Sequence, residues 1–279
     1  MKYKAWDKSD KFQRDFEKAL QKVVNSFKKL ANSSKDINEF QEKMNVFQES
    51  QEFQNMIYSS VRRMVTPIAV MNMSTWRKAA KKATKNPFMY RMLLKEINEG
   101  LKSDIEKQIE ENAKLIKTLP NDTANKVVED IYKLSLSGKR SSDIAKSISI
   151  YTDKHAKASA KLIARTETSK TMSALTEARS KNLGINWYVW RTEQDGDRVR
   201  PSHRIMEGVL VNFLDPPSPE QLAGFPSVGN YHAGNIWNCR CYEEPLLDID
   251  DVRWPHKVYY NGQIRKMTRK EFEVLCEVT

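Results

Sequence analysis

Ile185-Asn186-Trp187-Tyr188-Val189-Trp190-Arg191-Thr192 is the stretch on which the fold turns. Upstream of it, apolar residues recur every three or four positions. Within it, aromatic and β-branched residues follow a period of two, so the chain changes here from helix to strand. Gly184, just before, is suited to close the preceding helix. From Trp187 to Leu246 the chain then concentrates its rare residues: two of four histidines, two of three cysteines, three of six tryptophans and most glycines and prolines.

Downstream, Asp195-Gly196-Asp197 reads as a turn and Val209-Leu210-Val211 as a second short strand. Asp215-Pro216-Pro217-Ser218-Pro219 is a stiff extended loop, and loop continues from Gly224 to Gly234. Asn238 to Tyr242 forms a third short strand or clasp. An acidic linker, Asp248 to Asp251, leads to a hairpin over Val258–Arg265 with Asn261-Gly262 at its turn. Thr268 and Glu271 then make a capping box for a final helix carrying Phe272, Val274 and Leu275. Trp187, Val189, Trp190, Val209, Val211, Trp237 and Tyr242 are the expected core of this module. One face of its first strand is expected to be less buried than the other. Cys276 reads as plain core on the last helix.

Upstream, amphipathic helix dominates. Phe12, Phe16, Leu20, Val23, Val24, Phe27 and Leu30 form one stripe; Ile37, Phe40, Met44 and Phe47 form another behind a cap at Asp36. A third run passes through Met56, Val61 and Ile68 to Trp76; Pro67 kinks it or lies in a first turn. Asn86-Pro87 starts a long helix that Pro120 ends, and Asp122 or Thr123 caps the next, which stops at Gly138. A short helix spans Ile144 to Ile148, and a last long one runs from Thr152 to Leu183. The fold class expected is α+β. An extended, mostly helical, basic region (1–139) leads into a small mixed α/β module with short antiparallel strands (140–247), followed by a C-terminal hairpin and helix (248–279).

The formal net charge is +11, and it is unevenly spread. Residues 171–279 hold 13 Lys+Arg and 15 Asp+Glu, so the first 170 residues hold 34 and 21. A polyanion is a natural partner for such a surface, although lysines also simply solvate exposed helices. The segment Arg77, Lys78, Lys81, Lys82 and Lys85 is the most basic, with positive charge on nearly every side of a helix. It is the candidate DNA contact, or a solvated helix end placed well against the helix dipole. Three cysteines make no disulfide framework, which fits a reducing compartment. No secretion signal and no membrane-length apolar run is visible, so a protein working inside a cell or particle is expected.

Cys239 and Cys241 lie two positions apart, which on a strand puts both thiols on one face. With His203 they are suitable donors for a structural zinc, a fourth ligand coming from His232, Asp195, Asp197 or water. Two small buried cysteines beside a hydrogen-bonded histidine would give the same spacing. A cysteine nucleophile beside Arg240, paired with a histidine, is a further alternative. Arg165 and Glu167 lie on different faces of the last long helix, so each needs some other partner.

The ordered set Ile163-Ala164-Arg165-Thr166-Glu167, a Tyr-Val-Trp strand, Asp-x-Asp-Arg-Val-Arg-Pro-Ser-His, Glu207-Gly208 and Asn238-Cys239-Arg240-Cys241 resembles the phage Mu F-like head morphogenesis family. These are minor head, or minor capsid, proteins of tailed bacteriophages. The resemblance covers about residues 140–247. Position by position it falls on Arg165, Thr166, Glu167, Trp190, Asp195, Arg198, Arg200, His203, Gly208, Cys239, Arg240 and Cys241.

The resemblance implies a low-copy protein of the phage head interior, present in the host cytoplasm during assembly. Its implied partners are the portal protein, double-stranded phage DNA and scaffold or capsid protein, with no membrane. Such a protein would act in procapsid assembly and in DNA packaging or delivery, and would be no enzyme. The competing reading is a metal-dependent hydrolase or nuclease using His203, Asp195 and Asp197.

Overall fold

The computed structural model describes residues 6, 10–82, 91–92, 101–137, 141–194 and 199–278. The expected features at Asn86-Pro87, Gly138, Lys85 and Asp195 to Arg198 lie outside these residues. The architecture is α+β, as the change of period at Trp187 predicts. The chain folds as two compact units, each discontinuous in sequence. One gathers Ser9–Pro67 and Glu106–Thr168; the other gathers Met1–Lys8, Ile68–Ile105 and Ser169–Thr279.

The first unit is helical. It contains α1 (Asp10–Asn32), α2 (Ile37–Glu49), the earlier part of α3 (Gln51–Lys82), most of α4 (Lys102–Lys117), α5 (Leu119–Leu136) and residues 141–168 of α6 (Ser141–Asn182). The stripes read from the sequence are its core: Phe16, Leu20, Val24 and Phe27 of α1 are buried, as are Phe40, Met44 and Phe47 of α2. Phe27, Phe47 and Phe53 converge, with Phe47 and Phe53 rings 5.2 Å apart. Burying each such ring contributes about 1.5–3 kcal/mol. Asp36 caps α2 as expected, accepting from the Glu39 amide at 2.9 Å. Ser50 ends α2, and its hydroxyl oxygen accepts from the Phe53 amide at the start of α3.

Two helix boundaries differ from the expectation. Pro120 does not end a helix; it lies in the first turn of α5, where its missing amide costs nothing. The expected break before Thr152 is absent, and α6 runs unbroken for 42 residues. Thr152 is fully buried and its hydroxyl donates to the Ile148 carbonyl at 2.7 Å, so it back-bonds within the helix instead of capping one. Pro67 lies well inside α3, which removes the first-turn alternative.

The second unit holds a five-stranded sheet: β1 (Trp187–Arg191), β2 (Leu210–Asn212), β3 (Tyr242–Pro245), β4 (His256–Tyr260) and β5 (Gln263–Met267), in the order β3-β1-β2-β4-β5. β1 pairs antiparallel with β2 and β3, with Tyr188 opposite Val211 and Val189 opposite Glu244. β4 and β5 form the expected hairpin, and Asn261 and Gly262 both take positive φ at its turn. β2 pairs parallel with β4, where short antiparallel pairing alone was expected. The C-terminal hairpin is therefore part of the same sheet.

Both faces of β1 are sealed, contrary to the expectation of one open face. Trp187 and Val189 pack with Leu210, Val258, and Phe272 and Leu275 of the final helix α9 (Arg269–Val278). Tyr188 and Trp190 pack on the other side with Val211, Phe213, Met206, Tyr231 and the two cysteines. The Thr268–Glu271 capping box forms, with the Thr268 amide donating to Glu271 at 2.7 Å. Two core assignments are corrected: Trp237 is 49% exposed and Cys276 is exposed. Trp237 lies in a loop with the Lys170 ammonium over its ring at 5.0 Å, and Cys276 lies near the end of α9.

Candidate metal centre

His203 is carried by a single turn, α7 (Pro201–Arg204). Pro201 presets the first helical position, and the Arg200 carbonyl accepts from the His203 and Arg204 amides. Gly208, at φ +76°, follows; its amide donates to the Trp190 carbonyl at 2.9 Å and turns the chain into β2. The imidazole thus lies against the face of the sheet that carries Trp190, whose ring is edge-on to it at 5.8 Å.

The two cysteines do not lie on a strand, as the alternation argument assumed; β3 begins after them, at Tyr242. A tight loop brings their sulfurs together instead. Asn238 takes φ +57°, the Cys239 amide donates to the Ile236 carbonyl, and the Cys241 amide points to the Cys239 sulfur at 3.4 Å. The loop rests on small residues of α6. Ser169 donates to the Cys239 carbonyl at 2.8 Å, and Ser173 donates to the Ala233 carbonyl at 2.9 Å. Gly234, at φ +84°, makes the approach possible: a Cβ there would lie 2.8 Å from the Cys241 carbonyl oxygen. Arg200 adds a strut, its Nη2 donating to the Trp237 carbonyl at 2.6 Å.

His203 Nδ1 lies 3.5 Å from Cys239 Sγ and 3.4 Å from Cys241 Sγ. The three donor atoms lie within 4.8 Å of one another, and all three residues are buried. Zinc with Zn–S of about 2.3 Å and Zn–N of about 2.0 Å, in tetrahedral geometry, sets N and S donors about 3.5 Å apart. The observed spacings match that edge. Beyond the ring, Nε2 meets the Tyr231 hydroxyl at 3.0 Å, and that hydroxyl donates to Glu220 at 2.6 Å. Ser202 donates to the same carboxylate at 3.0 Å. A carboxylate-backed hydrogen bond at one ring nitrogen fixes the imidazole so that its other nitrogen faces the two sulfurs. Tyr231 keeps its proton, because burial and the Glu220 carboxylate both raise its pKa.

Cys239 is held well below the ordinary thiol range by the hydrogen bond from Cys241 and by His203, while Cys241 is pushed well above it by the Cys239 charge and burial. Among the described residues the Trp190 indole N–H meets no acceptor within hydrogen-bond distance, and its influence only partly offsets the rise at Cys241. Two buried thiols facing one imidazole nitrogen are a donor set suited to a cation. The nucleophile alternative has the pairing it needs but no access, since Cys239 and Cys241 are 3% and 6% exposed.

His232, a candidate fourth ligand, does not join the cluster. That ring lies apart from the cluster, its Nδ1 3.2 Å from the Tyr188 hydroxyl, and burial lowers its pKa. Asp195 lies outside the described residues, as do Asp197 and Arg198. Arg240 is half-buried and engaged by neighbours. In the other unit, Thr166 and Glu167 are buried and Arg165 half-buried, and none of them is free.

At the end of α3, Arg77, Lys78 and Lys81 are exposed, whereas Ala79 and Ala80 pack with Trp76, Trp6 and Ile185. Among the described residues the exposed cations Arg77, Lys78 and Lys81 alternate with the buried alanines. Lys82 has no described side chain.

Sequence reasoning missed Tyr231, Glu220, Ser202, Ser169 and Ser173. The signal for the last two was present: Ser169, Ser173 and Thr176 recur at helical spacing and give α6 a face of small hydroxyl residues.

Residues 125–243 match the family described as phage Mu protein F like protein, which bears out the resemblance drawn from the motifs. An uncharacterized protein of Haemophilus influenzae is 29% identical over 164 residues, covering 58% of this chain and 33% of that protein. The chain therefore spans about a third of the length of the curated relative it matches. No solved structure matches.

Proposed function

From its Mu F-like head-morphogenesis segment, we propose that this chain is a minor head protein of a tailed phage, acting at the portal in procapsid assembly and in DNA packaging or delivery. The family match over residues 125–243 is the observation that carries this reading. In it, the protein assembles in the host cytoplasm and resides inside the head, in contact with portal and with scaffold or capsid protein. No helix among the described residues is long and apolar enough to cross a membrane, which is compatible with that location. The exposed Arg77, Lys78 and Lys81 are the proposed contacts to double-stranded DNA.

Co-expression of the tagged chain with the portal protein of the same phage tests this directly. Stable co-purification is expected; a portal that assembles normally yet never retains the chain would overturn it.

The role proposed for His203, Cys239 and Cys241 is a structural zinc site, which staples the α7 turn to the loop before β3. The 3.4–3.5 Å N–S spacings and the Tyr231–Glu220 support behind the imidazole favour it. Bound there, zinc would add a covalent crosslink to the Arg200–Trp237 hydrogen bond that already joins the two segments. We propose no enzymatic activity. Nδ1 faces the thiols and Nε2 meets Tyr231, so neither nitrogen of His203 is left for a substrate. Metal analysis should give about one zinc per chain, and Cys239→Ser should lose both the metal and thermal stability. Protein that folds and stays metal-free in zinc-containing buffer would dispose of the site.

A further inference from the structure

The segment from Pro217 to Tyr231, which opens on the one-turn helix α8 (Pro219–Leu222) and continues as a loop, displays apolar side chains to solvent while being tied down at its base. Phe225 and Val228 are 50% and 63% exposed. Within the loop, the Phe225 amide donates to the Glu220 carbonyl at 2.8 Å, and the hydroxyls of Ser218 and Ser227 lie 2.8 Å apart. Its two ends are joined by the Tyr231 amide, which donates to the Pro217 carbonyl at 2.9 Å, and by the Tyr231 hydroxyl on Glu220. The second of these joints continues into the proposed metal centre, because the same hydroxyl meets Nε2 of His203.

We propose that the metal centre is a clamp on this loop: a bound cation orders the Phe225–Val228 tip, and its loss releases it. This rests on the zinc reading above. The chain of cause is the direction of the hydrogen bonds. A metal on Nδ1 leaves Nε2 with the ring hydrogen, so Nε2 donates to the Tyr231 oxygen and the single Tyr231 O–H is free to donate to Glu220. Without the metal, the ring can carry its hydrogen on Nδ1 toward the sulfurs. Nε2 then accepts, and it competes with Glu220 for the one phenolic hydrogen. The base of the loop then keeps only its Tyr231–Pro217 backbone joint, while β1 and β2, held by their own ladder, are unaffected.

Amide hydrogen exchange read by mass spectrometry tests the clamp on the full chain, loaded with Zn²⁺ or stripped with a chelator, with metal analysis on each sample. Exchange across residues 218–230 is expected to rise roughly 10-fold on stripping, as for loss of one buried hydrogen bond, with β1 and β2 still protected. Tyr231→Phe, which keeps all three ligands, should hold about one zinc and still show the fast loop while loaded. That variant decides the matter even if stripping unfolds the whole module. If loaded and stripped protein differ in zinc but not in loop exchange, or if loaded Tyr231→Phe keeps a slow loop, the clamp is refuted and the metal site stands. If no sample takes up zinc, both ideas fall together.

Discussion

Gly234→Ala isolates the closest backbone approach behind the two cysteines. The residue has φ +84°, and a Cβ on it would lie 2.8 Å from the Cys241 carbonyl oxygen and 3.5 Å from that of Ser169. The first part of the cost is conformational: an L-residue in left-handed backbone loses about 1–2 kcal/mol. The second is steric. The nearest atom is backbone, so it cannot swing aside as a side-chain end would, and overpacking of this kind costs roughly 1–3 kcal/mol. The sum is about 2–5 kcal/mol. Gly208→Ala supplies the control, since φ is +76° there but nothing lies within 4 Å of its Cβ. It should lose only the conformational part. Urea denaturation of both variants, followed by tryptophan fluorescence, gives the two values. The difference should be at least about 1 kcal/mol against Gly234→Ala. Equal losses would refute the reasoning, because the loop would then have room that the geometry denies.

Three further outcomes are expected. Glu243 is fully buried against Ser173, and burial raises its pKa well above the ordinary carboxyl value. The folded state therefore binds a proton that the unfolded state releases, so this contribution is complete below the unfolded pKa and lost as pH rises toward the folded one, at up to about 1.4 kcal/mol per pH unit. Glu243→Gln should flatten that slope in urea titrations run at several pH values. Phe272 is 1% exposed and its ring lies 4.9 Å from Trp187 and 5.0 Å from Trp254. Phe272→Ala should cost about 3–5 kcal/mol and blue-shifted tryptophan emission should be lost, whereas Val274→Ala, at an exposed position of the same helix, should be nearly silent. Replacing Arg77, Lys78 and Lys81 by Ala should weaken duplex DNA retention and lower the salt slope by roughly 0.9 per lost phosphate contact; an unchanged slope would show that these cations only solvate the helix.

Much of the molecule was legible because it is local. Stripes such as Phe16, Leu20, Val24 and Phe27 announce which side of a helix is buried, since residues three and four apart share a face. Asp36, Asn261-Gly262 and Thr268 with Glu271 carry their own stop and start signals, and each behaves as those signals say. Thr152 shows the limit. A threonine can cap a helix or back-bond within one, and only its burial selects the second.

The amino-acid order by itself determined the change from helix to strand at Trp187, the hairpin at Asn261 and the three donor residues able to bind a cation. Tertiary structure alone decided that β2 runs parallel to β4, that α9 seals the outer face of β1, and that Cys239 and Cys241 meet His203 across 36 and 38 positions of chain. The division has a physical cause. Periodicity and capping depend on contacts within a turn or two of backbone. The meeting of distant loops depends instead on which surfaces exclude water together, and on single permissive points such as Gly234, where the absence of a side chain lets two backbones touch.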